Sequence, residues 1–188
     1  MRKIKIIAGL IILTTLSLSA QENFSFEKVI KTDSVGKTII FTTINDWFAT
    51  TYNSSNDVIQ MSEKDAGIII GKGLFKYYSN KHPFFAPYSY DGNIKYTIKV
   101  YVKDNRYKVV LTNFNHSADE DPNDPTPPYS FETITTAKVY KTKGIAMKSL
   151  NASWNDIKLK SEQYSNDIFK SLENKTKNMK VETTGNDW

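Results

Sequence analysis

The chain has no cysteine. Disulfides, thiol catalysis and cysteine-held metals are therefore excluded, as is a lipid anchor, which needs a cysteine at the cleavage site to carry the lipid. Histidine is nearly as scarce, with His82 and His116 alone in 188 residues. Both fall in segments that read as loops. A zinc centre needs three or four ligands at defined distances, and a Ser–His–Asp site needs a positioned imidazole, so neither is indicated. No apolar run reaches the ~20 residues that a spanning helix needs. No complete phosphate-binding motif is present: Gly71-Lys72-Gly73 lacks P-loop spacing, and no helix signal follows it.

The first twenty residues stand apart. Arg2, Lys3 and Lys5 precede an apolar run from Ile6 to about Leu13, and small and polar residues then lead to Ala20. This is the pattern of a secretory leader, with cleavage expected after Ala20. The precursor's net charge of +5 overstates the basicity of what remains. Without the leader's three cations, 22 Lys and Arg face 20 Asp and Glu, a net of +2. The expectation is an exported chain, periplasmic or secreted, soluble, not a lipoprotein, with no transmembrane segment once the leader is removed. No nucleic-acid partner is expected, because the basic pI belongs to the precursor.

The whole chain is 39% hydrophobic and 13% aromatic, enough apolar content for a folded core. Residues 21–180 are expected to form one domain, with 181–188 a frayed tail. Phe24–Ile30 reads as a strand whose alternation slips near Lys28. Lys31–Gly36 supplies turn and N-cap residues, and Val35–Tyr52 sets Ile40, Ile44, Trp47, Phe48 and Tyr52 on one helical face. Val58–Met61 and Gly67–Tyr78 read as a strand pair. In the second strand Ile69, Gly71, Gly73 and Phe75 share a face, and the two glycines predict clearance for a helix lying across it.

Asn93–Lys103 and Arg106–Asn115 alternate as a hairpin around the two-residue turn Asp104-Asn105. That turn pairs Val102 with Tyr107, Val100 with Val109 and Ile98 with Leu111, all facing the core. The opposite face then carries Lys95, Lys99, Tyr101, Lys103, Arg106 and Lys108. His116–Ser130 is acidic and proline-rich and reads as a loop. Phe131–Met147 is irregular, with a short strand at Val139 and Tyr140. Ser153 is expected to cap a helix running to about Met179. The order β-α-β-β-β-β-α predicts an α+β fold, an antiparallel sheet with two helices packed on one face.

The segment DVIQMSEKDAGIIIGKG is preceded by Asn45-Asp46-Trp47-Phe48 and followed by IKVYVKDNRYKVVLTNF. Over about residues 26–114 it resembles a family of uncharacterised secreted bacterial proteins, a domain of unknown function with a TATA-binding-protein-like (TBP-like) fold. Val58–Gln60, Ala66-Gly67 and Gly71-Lys72-Gly73 occur in the family's order. Ile68 stands where that family usually has a charged residue. The resemblance implies the same β-α-β4-α fold and brings no catalytic residues.

Two surfaces remain as candidate contact sites. One is the basic, aromatic-dotted face Lys95, Lys99, Tyr101, Lys103, Arg106 and Lys108. The other is the loop between residues 79 and 92, with Phe84, Phe85, Tyr88 and Tyr90. A bland account exists for each: strand lysines guard a sheet against aggregation, and the aromatic loop covers a sheet edge. The expected function is a non-enzymatic binding or assembly module of the bacterial cell envelope, without cofactor, meeting an envelope protein or an anionic envelope component. The alternatives are an envelope-polymer hydrolase, for which no motif nominates a carboxylate pair, and a calcium-dependent module using Asp119, Glu120, Asp121, Asn123 and Asp124, which do not fit an EF-hand loop.

Overall fold

The structure is a computed structural model that describes residues 24–52, 58–79, 88–122, 125–136, 144–177 and 179. The leader, the tail, residues 80–87 (with His82, Phe84 and Phe85), Asn123, Asp124, Val139 and Tyr140 lie outside the described residues.

The elements follow in the order β1 (Phe26–Lys31), α1 (Lys37–Thr51), β2 (Ile59–Glu63), β3 (Ile68–Tyr77), β4 (Gly92–Lys103), β5 (Arg106–Ala118), β6 (Glu132–Thr133) and α2 (Ile145–Lys177). The strands form one antiparallel sheet ordered β1-β5-β4-β3-β2, and β6 joins the edge of β5 beyond the end of β1. Both helices pack on the same face. This is the expected α+β architecture with one addition, the two-residue β6 at Glu132–Thr133, in a stretch expected to be irregular.

The β4–β5 hairpin has the expected register: Val102 opposes Tyr107, Val100 opposes Val109 and Ile98 opposes Leu111. All six are buried. A two-residue connection leaves little freedom in pairing, and here Asn105 takes φ 63°. Toward the other end an extra residue in β5 shifts the register between Lys95 and Thr97. Asn113, at φ 56°, sits in this bulge. It swings the end of β5 so that Phe114 and His116 both face the core.

Helix α1 buries Ile40, Phe41, Ile44, Trp47 and Phe48 against the sheet. Its N-cap is Gly36, which has no side chain to offer. The missing acceptor comes from the hairpin turn: Lys37 donates its backbone N–H to Asp104 Oδ1 at 2.7 Å. A carboxylate at a helix N-terminus satisfies an otherwise unpaired N–H and complements the helix dipole.

The two strand glycines have different neighbours. A Cβ on Gly71 would press on Phe48 of α1, as clearance for a helix requires. Gly73 instead makes room for the ring of Tyr96, from the adjacent strand β4. Tyr96 carries its hydroxyl into a buried cluster, 2.8 Å from Tyr52 Oη and 3.5 Å from Tyr164 Oη.

Helix α2 begins at Ile145, ahead of the expected Ser153 cap. Ser153 is buried inside the helix, as are Ser149, Ser161 and Ser165. Interleaved with Leu150, Trp154, Ile157, Ile168 and Leu172, these serines are small core-facing positions of one stripe. Trp47 Nε1–H donates to Ser171 Oγ at 2.9 Å, and Lys175 reaches Asp46 at 2.6 Å, so the helices are tied to each other as well as to the sheet.

Candidate binding face

Because both helices lie on one side, the other side of the sheet has no covering element among the described residues. Strand alternation places Lys95, Thr97, Lys99, Tyr101 and Lys103 of β4 there, and Arg106, Lys108 and Val110 of β5. The strand β1 completes the face. Its pairing sets Glu27 opposite Val110, Val29 opposite Lys108 and Lys31 opposite Arg106. On the far side Ile68 opposes Tyr101 and Ile70 opposes Lys99.

The expected slip near Lys28 does not occur. The alternation of β1 is intact, and Lys28 points to the helix side of the sheet edge, where it meets Glu173 of α2 at 2.9 Å. That hydrogen bond, reinforced by the charges of Lys177 and Lys28, lowers the pKa of Glu173.

A groove of about 730 Å³ runs over the outer face. Its apolar lining is Val29, Val110 and Tyr101, and its cations are Lys99, Lys103, Arg106 and Lys108. Five of the six predicted face residues are thus brought together. Lys95 shares the face but lies outside the groove, opposite Leu74 and Asn115. Lys108 is paired with Glu27 at 3.0 Å. Val29 is 54% exposed and Leu74 55%, high values for aliphatic side chains on a sheet.

The outward groove residues that sequence reasoning missed are Ser25, just ahead of β1, Glu27 and Val29 of β1, and Val110 and Thr112 of β5. Their place depends on β1 joining β5, a pairing that no short turn announces. The available signal was the alternation of β1 itself, which sets Glu27, Val29 and Lys31 on one side and Phe26, Lys28 and Ile30 on the other.

The aromatic loop divides. Tyr88 is half-buried against Tyr129, with ring centroids 5.2 Å apart. Tyr90 is fully buried, stacked on Phe131 at 5.4 Å, and so belongs to the core and is not a contact residue.

His116 is likewise relocated. It lies within β5, not in a loop, and is fully buried. Its Nε2 is 2.9 Å from the Tyr90 carbonyl, and its Nδ1 accepts the Phe131 N–H at 3.2 Å. A carbonyl requires a donor and an N–H an acceptor, so the ring is neutral with its proton on Nε2. Burial lowers its pKa, against the Tyr90 hydrogen bond and the charges of Asp119 and Asp91, which raise it. Both nitrogens are thus engaged in holding the Tyr90 and Phe131 segments to the end of β5.

The tyrosine cluster is also held in its neutral form. Tyr52 is pushed up to about 12 by burial, and Tyr96 is raised further by burial and by the neighbouring Tyr52 and Tyr164. Tyr77, raised chiefly by burial, donates to Asp156 Oδ2 at 2.9 Å. Phenols shifted upward are poor general bases near neutral pH. In the acidic segment, Asp119 is engaged by Lys76 at 2.7 Å and by Asn93 at 2.8 Å. Among the described residues no group of three or more His, Asp or Glu could hold a metal ion, and no helix is long and apolar enough to cross a membrane.

Residues 26–117 match the family profile described as a domain of unknown function (DUF4468) with TBP-like fold. No curated protein matches the chain. Among solved structures, the chain is similar to a TBP-like protein from Parabacteroides distasonis ATCC 8503, with a TM-score of 0.56 and 19% identity over 81% of this chain and 94% of that one. A DUF4468 family protein from Bacteroides ovatus ATCC 8483 aligns with a TM-score of 0.48 and 15% identity, over 81% of this chain and 85% of that one.

Proposed function

Residues 26–117 belong to the DUF4468 family of TBP-like fold, and from that premise we propose that the chain is a non-enzymatic binding or assembly module of the bacterial cell envelope, exported behind its leader, that works through the outer face of its sheet. The observation that carries this reading is the one-sided cover. Both helices and the buried core lie on one face, while the other presents a 730 Å³ groove in which exposed apolar side chains sit among cations. Exposed apolar surface rimmed by polar groups is characteristic of interaction sites. Fold alone carries no function, so the reading rests on that face and not on the TBP-like name.

The test is charge reversal on the face. Lys99→Glu combined with Lys108→Glu should abolish co-purification of any partner crosslinked to the protein in the native envelope, identified by mass spectrometry. Unchanged recovery of the same partners would remove the sheet face from consideration.

A further inference from the structure

The outer face carries a charge arrangement that a merely solvated surface would avoid. Lys31 stands directly opposite Arg106 across β1–β5, and Arg106 directly opposite Lys103 across β4–β5. Three cations therefore line up across three strands at the hairpin end of the groove. Like charges directly opposite one another destabilise a sheet. The carboxylate closest to them in sequence, Asp104, has one oxygen engaged by the Lys37 N–H. Among the ion pairs of the described residues, Glu27 relieves only Lys108.

The next two rows mix cations with apolar side chains. Val29 faces Lys108, which faces Tyr101, which faces Ile68. One step along the strands, Glu27 faces Val110, which faces Lys99, which faces Ile70. On β4 and β5 these rows make a two-by-two checkerboard, with Lys108 and Lys99 on one diagonal and Tyr101 and Val110 on the other, about 4.8 Å apart across the strands and ~6.7 Å apart along them.

Resting on the binding role proposed above, we infer that the occupant of this groove is an acidic protein segment in extended conformation whose sheet-facing side chains, every second residue, alternate between carboxylates and apolar groups. An extended segment laid along β4 and β5 repeats with the same ~6.7 Å period as the face beneath it. Its carboxylates meet Lys99, Lys103 and Arg106, and its apolar side chains meet Val29, Val110 and Tyr101. The lining has no amide side chain and Tyr101 as its one exposed aromatic, a poor set for an anionic polysaccharide.

The test is calorimetric titration of the exported protein with four probes: a dodecapeptide of three Glu-Ser-Val-Ser repeats (the Glu–Val peptide), which sets Glu and Val on one face of an extended chain, its Gln-Ser-Val-Ser counterpart (the Gln–Val peptide), phosphatidylglycerol vesicles and heparin. The Glu–Val peptide should bind, and the Gln–Val peptide should bind about tenfold more weakly. A comparable loss is expected for Glu–Val binding to Lys99→Glu and to Arg106→Glu, two side chains outside the core; Lys99→Glu should melt as the parent does, and Arg106→Glu at or above the parent, since it turns two like-charge pairs into opposite-charge ones. Equal binding of the two peptides would overturn the inference. Vesicles or heparin binding more tightly than the Glu–Val peptide, and losing that binding in the variants, would overturn the acidic segment but leave the face as the binding site. No difference between parent and variants with any probe would overturn both.

Discussion

Ile98 and Lys99 are neighbours in β4, yet they meet different surroundings. The inward residues of that strand, Ile94, Tyr96, Ile98, Val100 and Val102, are all buried beneath α1 and α2. The outward residues Lys95, Thr97, Lys99, Tyr101 and Lys103 have no helix over them. The two sides of one strand thus divide the labour of the molecule. Stability comes from removing apolar surface from water on the inner side. The outer side buries less apolar surface and presents cations beside exposed apolar groups.

The widest separation between the two sides should appear in chemical denaturation. Ile98→Ala leaves a cavity in a fully buried position and is expected to cost about 2–5 kcal/mol. A loss under 1 kcal/mol would show that the inner face is less tightly packed than its burial implies.

An intermediate effect should come from pH. Neutral His116 accepts the Phe131 N–H, and protonation would replace that acceptor with a second donor. Its folded pKa lies below the usual 6.5, so below that value the unfolded chain binds more protons than the folded one. This contribution is complete above about pH 7 and is lost as the pH falls through 6.5 toward the folded pKa, with a limiting slope of about 1.4 kcal/mol per pH unit. Thermal melts between pH 8 and 5 should therefore show a steeper decline for the parent than for His116→Gln. Parallel curves would mean that the imidazole is not held neutral by burial.

The smallest effect on stability belongs to the outer face. The Lys99→Glu, Lys108→Glu double variant should shift stability by only about 0.5 kcal/mol while removing binding. A large destabilisation would mean that the outer face also supports the fold, and the division between the two sides would fail.

The legibility of the sequence follows the same division. From its turn as far as Ile98 and Leu111 the hairpin was readable to the residue, because alternation and a two-residue turn together fix which side chains face inward; the bulge at Asn113 beyond them was not. Register without a short turn was not readable. β1 joins β5 across some eighty residues of chain, so the inward direction of Lys28 and the place of Val29 over the groove had no local signal. Composition misled where polar residues serve the interior. His116, in polar surroundings, belongs to a strand, and Ser153 reads as a cap yet lies in the buried stripe of α2. The face cations were named correctly because alternation alone places them, but the groove they share needed the third strand.

The Asp104–Asn105 turn has a practical consequence. The tip of a hairpin is ordinarily a permissive place to splice in a peptide tag. This one is occupied. Asp104 holds the start of α1, Asn105 exchanges backbone hydrogen bonds with Thr32 and Val35, and the adjoining Val102 N–H is held by the Gly67 carbonyl at 2.7 Å. Three connections distant in sequence meet at one bend. A tag inserted between Asp104 and Asn105 should lower the melting temperature, because it would uncouple β1, α1 and the β2–β3 connection together; for labelling this protein, the conventional insertion point is the one to avoid.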